Sequence, residues 1–210
     1  MRNLIWLSIA LSLVGCTVSE AAPRTAEAKD ALVKKGAKLV AIGGCGDCHT
    51  PKLFDPELKL PLPDLSRMLS GHTENTPDPA SDLAEGDMAI IGGDLTSFKL
   101  QIGIAYAANL TPDKMTGLGN WDEALFLKAL RTGRHLGAGR PILPPMPWFE
   151  LGRQSDEDLK AMFAYLQSIP AVHNHVPNAK VQTESLRELG KSYDLLLERM
   201  RAAPPAASGR

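Results

Sequence analysis

The chain has 210 residues, with 23 lysines and arginines against 24 aspartates and glutamates, a formal charge of −1, and 5% aromatic residues. Balanced charge, no basic run and few aromatics give it no nucleic-acid-binding surface. The length suffices for one domain with a real hydrophobic core.

The first segment opens Met1-Arg2-Asn3, runs apolar from Leu4 to Val14, and ends Leu13-Val14-Gly15-Cys16. One basic residue, a short apolar run and a small residue before the cut describe a secretory signal over 1–15. The run is too short to span a bilayer as a mature helix. Leu13-Val14-Gly15-Cys16 resembles the bacterial lipobox, in which the signal is removed before a cysteine that is then lipidated. The plainer alternative is an ordinary signal with an incidental cysteine. Cleavage removes Arg2, so the mature chain stands at −2. Residues 16–27, small and polar after the lipidated Cys16, read as a tether.

A helix is expected from about Ala28 to Ile42. Leu32, Gly36, Leu39 and Val40 form one stripe, with Lys29, Lys34, Lys35 and Lys38 mostly facing away. Gly36 on that stripe costs about 1 kcal/mol relative to alanine, which points to another helix crossing there at close range. Gly43-Gly44 ends the helix and delivers the chain to Cys45-Gly46-Asp47-Cys48-His49.

That pentapeptide is C-x-x-C-H, the attachment sequence for a c-type haem. Two thiols at i and i+3 can each add to one vinyl group of a single porphyrin. The next residue then places an imidazole under the iron as axial ligand. A C-x-x-C redox pair has no need of His49, and a structural zinc site needs a second Cys or His pair that is not evident. With Cys45 and Cys48 in thioethers, Cys16 has no disulfide partner. Export agrees with this, because c-type haem is attached outside the bacterial cytoplasm.

Residues 50 to about 110 are the least legible. Prolines at 51, 56, 61, 63, 77 and 79 exclude long helices over much of it. Leu65 to Leu69 suits one turn, and Met88 to Ala105, broken at Gly92-Gly93-Asp94, suits a short β-hairpin. The segment is expected to wrap part of the haem edge. Asn109 to Asp113 is turn-forming. Helix character returns at Trp121 to Thr132, with Gly133 as the stop. Residues 134–148 are rich in glycine and proline. Ser155-Asp156-Glu157-Asp158 resembles a capping box opening a helix that runs to about Ser168, before Pro170. A last amphipathic helix spans about Thr183 to Arg201 and packs on the domain surface. Residues 202–210 read as a disordered tail.

The sixth ligand decides between electron transfer and chemistry at iron. Met146 is the best candidate. A thioether favours Fe(II), raises the potential and fills the position that oxygen or peroxide needs. Pro144, Pro145 and Pro147 stiffen the backbone around it. Trp148 is placed to shield the pocket and lend an indole N–H. Met68, Met88 and Met115 lie in loops without such stiffening. His72 and His135 can bind iron but read as surface residues or hydrogen-bond donors. His173 and His175 read as an exposed turn, too few for a metal site.

Residues 28–178 resemble a class I cytochrome c domain. The carriers of the likeness are Asn109-Leu110-Thr111-Pro112-Asp113, Thr116-Gly117-Leu118-Gly119, Trp121, Ala129-Leu130-Arg131-Thr132-Gly133, Pro145-Met146-Pro147-Trp148, Asp156-Glu157-Asp158-Leu159, Ala164-Tyr165-Leu166 and Ile169-Pro170. They resemble the haem domains of membrane-bound alcohol, gluconate and aldehyde dehydrogenase cytochrome subunits and related single-domain cytochromes. The resemblance implies an all-α class I fold and makes His49 and Met146 the axial ligands. Asn109 joins Trp148 in the haem surroundings. Those subunits often carry three haem motifs, whereas this chain has one. Its segment 52–105 and its final helix, counted as 179–201, fall outside the likeness. The expected activity is a one-electron carrier with one covalent haem c, not an enzyme, either free-standing or a subunit of a dehydrogenase complex. Its partner is a redox protein, and it is lipid-anchored on the periplasmic side of a bacterial membrane. Thr17 after the cysteine fits outer-membrane sorting. The alternative is a peroxidase-like haem enzyme or gas sensor with an open or displaceable sixth position.

Overall fold

The computed structural model describes residues 21–202; Cys16, the leader and nearly all of the tail lie outside them. The first helix, α1, spans Ala21–Ile42. It begins earlier than expected, so residues 21–27, read as tether, are helical. Alanines, the strongest helix formers, recur through them. A five-residue helix, α2 (Cys45–His49), follows at once. Three further helices build the rest of the frame: α3 (Glu123–Thr132), the single turn α4 (Trp148–Leu151) and α5 (Asp156–Leu166). The last, α6, runs Thr183–Ala202. Among the described residues no helix is long and apolar enough to cross a membrane.

The expected crossing at Gly36 is present. A Cβ there would lie 1.8 Å from the Ala161 carbonyl oxygen and 2.8 Å from the Tyr165 Cβ, so only glycine lets α1 and α5 approach this closely. Lys35 ties the same contact from outside, to Glu157 at 2.7 Å and Asp158 at 2.9 Å. Beneath it Val40, Phe126, Leu130, Leu159, Met162 and Leu166 form the core. The helix ends follow local chemistry. Asp122 accepts from the Leu125 N–H at 2.7 Å to start α3, and Gly133, at φ 64°, ends it in the left-handed region. Ser155 Oγ accepts from the Asp158 N–H, as the capping sequence suggests.

The all-α expectation does not describe residues 52–106. Strands β1 (Lys52–Asp55) and β2 (Leu60–Pro63) form an antiparallel hairpin. A second antiparallel sheet has four strands in the order β3 (Ala89–Ile91), β4 (Ser97–Leu100), β5 (Gly103–Tyr106) and β6 (Lys180–Val181). The segment 88–105, expected as one hairpin, thus supplies β3, β4 and nearly all of β5, three of the four strands. Prolines that forbid helices are tolerated on edge strands, and a two-stranded hairpin is all edge. The fourth strand arrives from 74 residues further along the sequence, over a glycine: a Cβ on Gly103 would sit 2.0 Å from the Lys180 carbonyl oxygen. No local pattern announces such a pairing.

Candidate haem-attachment site

Gly44, at φ 64°, turns the end of α1 directly into α2. Cys45, Cys48 and His49 therefore leave one short helix together. Neither cysteine is in a disulfide, and burial pushes each thiol above its usual value. Cys45 packs against the main core.

His49 is buried, and its Nδ1–H donates to the Ala108 carbonyl oxygen at 2.7 Å. That bond assigns the tautomer: the lone pair is on Nε2. Burial lowers the imidazole below its ordinary value, which favours the neutral ring. Two cysteines three residues apart, with an imidazole whose Nε2 is left for a ligand, are the residues a covalently attached haem requires.

The acceptor for His49 is itself firmly placed. Segment 69–72 lies between α2 and segment 107–110. Gly71 N–H donates to the His49 carbonyl at 2.8 Å, His72 N–H to Ala107 at 2.9 Å, and Leu110 N–H to Leu69 at 2.9 Å. Gly71 has φ 79°, and a Cβ there would lie 2.5 Å from the Ala107 carbonyl oxygen and 2.7 Å from that of Ala108. Sequence reasoning passed over this glycine; the Gly-His step after a serine was its only local signal.

Asn109 is buried and fully bonded. Its Oδ1 accepts from the Thr111 N–H (2.9 Å) and hydroxyl (2.7 Å), and its Nδ2 donates to Thr116 Oγ1 (3.0 Å) and the Val172 carbonyl (2.8 Å). Its place is next to the His49 acceptor, as a lock on the turn. Asn174, not foreseen, has the matching role. It donates to the Ser70 and His72 carbonyls at 2.7 and 2.9 Å and accepts from Arg67 at 2.7 Å.

Met146 is partly buried against the same core cluster as Cys45. Met68, Met88 and Met115 are exposed, the last two more than 80%. Trp148 is 1% exposed, packs over Gly133, and meets Tyr193 of α6 with ring centroids 4.7 Å apart. It anchors the Met146 loop to α3 and α6. Tyr193 secures the loop again, donating to the Ile142 carbonyl at 2.6 Å.

His72 is buried rather than at the surface. The Thr96 hydroxyl donates to Asp94 (2.6 Å), so it accepts from His72 Nδ1–H (2.7 Å), and the imidazole stacks on Tyr106 at 4.7 Å. His135 is exposed and edge-on to Trp121. His173 and His175 are exposed beside Asp113 and Glu74. Among the described residues no cluster of three or more His, Cys, Asp or Glu is placed to hold a metal ion.

No family model matches the chain. It is 31% identical over 175 residues to the gluconate 2-dehydrogenase cytochrome c subunit of Pantoea cypripedii, covering 83% of this chain and 30% of that one. It is 30% identical over 159 residues to the cytochrome c subunit of the alcohol dehydrogenase (quinone) of Gluconobacter oxydans, covering 76% and 25%. The fructose dehydrogenase cytochrome subunit of Gluconobacter japonicus matches at 39% over 67 residues, 32% of this chain and 14% of that one. The chain thus spans less than a third of the length of these relatives.

Proposed function

From its relationship, over most of its length, to cytochrome c subunits of gluconate and alcohol dehydrogenases, we propose that this chain is an exported mono-haem c-type cytochrome that carries single electrons. The observation that carries the reading is His49: buried, its neutral form favoured, held by Ala108 through Nδ1, with Nε2 free for iron. When bound, the haem supplies a one-electron iron couple. Cys45 and Cys48 hold it by thioethers. Gly71, Asn109 and Asn174 keep the Ala108 carbonyl in place, and so keep the imidazole in one orientation through both oxidation states. Met146 is the sixth ligand, and Trp148 and Tyr193 steady its loop. In this reading α1, α3 and α5 are the frame of a class I cytochrome c domain over 28–178. Residues 52–106 cover the haem edge, and α6 is an addition. Electrons pass between a dehydrogenase or quinol-oxidising complex and a terminal acceptor; the chain does no substrate chemistry.

Denatured protein should retain one haem per chain by mass after acid–acetone treatment. The ferric protein should show the weak long-wavelength band of sulfur–iron ligation, and the reduced protein should bind carbon monoxide poorly. Ready binding of carbon monoxide would instead favour a peroxidase-like enzyme or gas sensor with an open sixth position. Export and anchoring belong to the same proposal: Cys16 carries lipid on the periplasmic side of a bacterial membrane, with Thr17 directing it to the outer membrane. Labelled fatty acid should enter the wild type and not Cys16→Ser, and the variant should be released in soluble form. Membrane retention of that variant would refute the anchor.

A further inference from the structure

Lys52, three residues past His49, reaches back over the haem-attachment turn. Its ammonium donates to the carbonyl oxygens of Gly46 at 3.0 Å, Asp47 at 2.7 Å and Thr50. Lysine has three donors, and here all three are used. Two of the acceptors are carbonyls in the last turn of α2, where helical N–H partners run out; the third belongs to the residue just past it. The Gly46 oxygen also receives the Thr50 N–H at 3.2 Å, so the turn is closed twice. Lys52 is partly buried. Burial pushes its ammonium below the ordinary lysine value, against the pull of the Asp47 and Asp94 carboxylates. An exposed lysine keeping its stem mobile would not give up hydration for three carbonyls; this one is committed to the turn that carries both cysteines and the axial histidine.

We infer that Lys52 is a positioning residue whose fixed positive charge on the Cys45–Thr50 turn raises the reduction potential of the haem that the turn holds. The inference rests on the haem reading above. The electron exchange, here with a mediated electrode, adds one electron, converts ferric to ferrous iron, and moves no proton or covalent bond. It lowers the positive charge of the site by one, so a neighbouring cation favours the reduced form. Partly withdrawn from solvent and salt, that cation acts more strongly than a fully exposed one. Removing it also leaves Asp47 and three carbonyl dipoles uncompensated, which shifts the potential in the same direction.

The test is the midpoint potential of the haem-loaded protein for wild type, Lys52→Gln, Lys52→Met and Lys52→Arg, with thermal melting measured in parallel. Glutamine keeps a hydrogen-bond donor without the charge, so it separates the cation from the cap. Lys52→Gln and Lys52→Met should both shift to lower potential, and Lys52→Arg should stay near wild type. A wild-type potential in Lys52→Gln would overturn the inference, whatever its melting temperature. If neither neutral variant takes up haem, recovery of uptake in Lys52→Arg supports the role of charge and its failure overturns it. Lack of covalent haem in the wild type would strike the haem reading itself, a result distinguishable from all of these.

Discussion

The two candidate iron ligands are held by different physics. His49 sits in a hydrogen-bonded lattice in which α2, segment 69–72, segment 107–110 and Asn174 share backbone partners. The backbone bonds of Met146 itself are short-range: its N–H donates to the Leu143 carbonyl at 3.2 Å and its carbonyl accepts from the Trp148 N–H at 2.9 Å. Its loop is held by restricted proline backbone and by the packing of Trp148 on Gly133 and Tyr193. A hydrogen-bonded lattice has one good geometry and fails abruptly, because each lost partner leaves a buried polar group unsatisfied. A packed loop yields by degrees, since apolar contacts are individually small and non-directional. The first suits a ligand whose orientation must not change. The second suits a weak ligand that needs only to be kept near.

The sharpest way to break the contrast is Gly71→Ala. The residue has φ 79° and no room for a Cβ beside the Ala107 and Ala108 carbonyls. Left-handed strain and overpacking together should cost about 3 kcal/mol in chemical denaturation, and the yield of haem-loaded protein should fall. A wild-type yield and midpoint would mean that the His49 acceptor is not held as described.

Met146→Ala should cost less in stability, about 2 kcal/mol or under, because the side chain is only partly buried. Its functional effect should be local. The sulfur–iron band disappears, carbon monoxide binds the reduced variant quickly, and the potential drops as a ligand favouring Fe(II) is lost. Unchanged carbon monoxide binding would remove Met146 from the sixth position.

Tyr193→Phe probes the packed side most gently. It deletes one hydrogen bond, to the Ile142 carbonyl, and leaves the ring over Trp148. About 1 kcal/mol of stability should be lost, with carbon monoxide binding slightly faster as the loop loosens. A loss of haem comparable to that of Gly71→Ala would erase the distinction between the two sides.

Local spacing determined much of this protein. Cys45, Cys48 and His49 leave one short helix together, which their spacing within five residues already implies. The helix ends at Gly133 and Ser155 were legible, since capping is a contact within four residues, while the start of α3, capped by Asp122, lies two residues past the expected one. Gly36 announced the α1–α5 crossing because a glycine on an apolar helical stripe has few other uses. The two small sheets were not legible as such. Proline marks where a helix cannot be, yet does not say which strands pair, and β6 joins from far along the chain. His72 read as a surface or hydrogen-bonding residue and is buried, because Asp94, Thr96 and Tyr106 close around it only in the folded chain. Tertiary structure alone chose the His49 tautomer, the role of Gly71, the Asn174 lock and the place of Trp148 under α6. Each depends on a backbone carbonyl or ring brought from tens of residues away. A side chain's type states what it can bond, while the fold states which partner is within 3 Å.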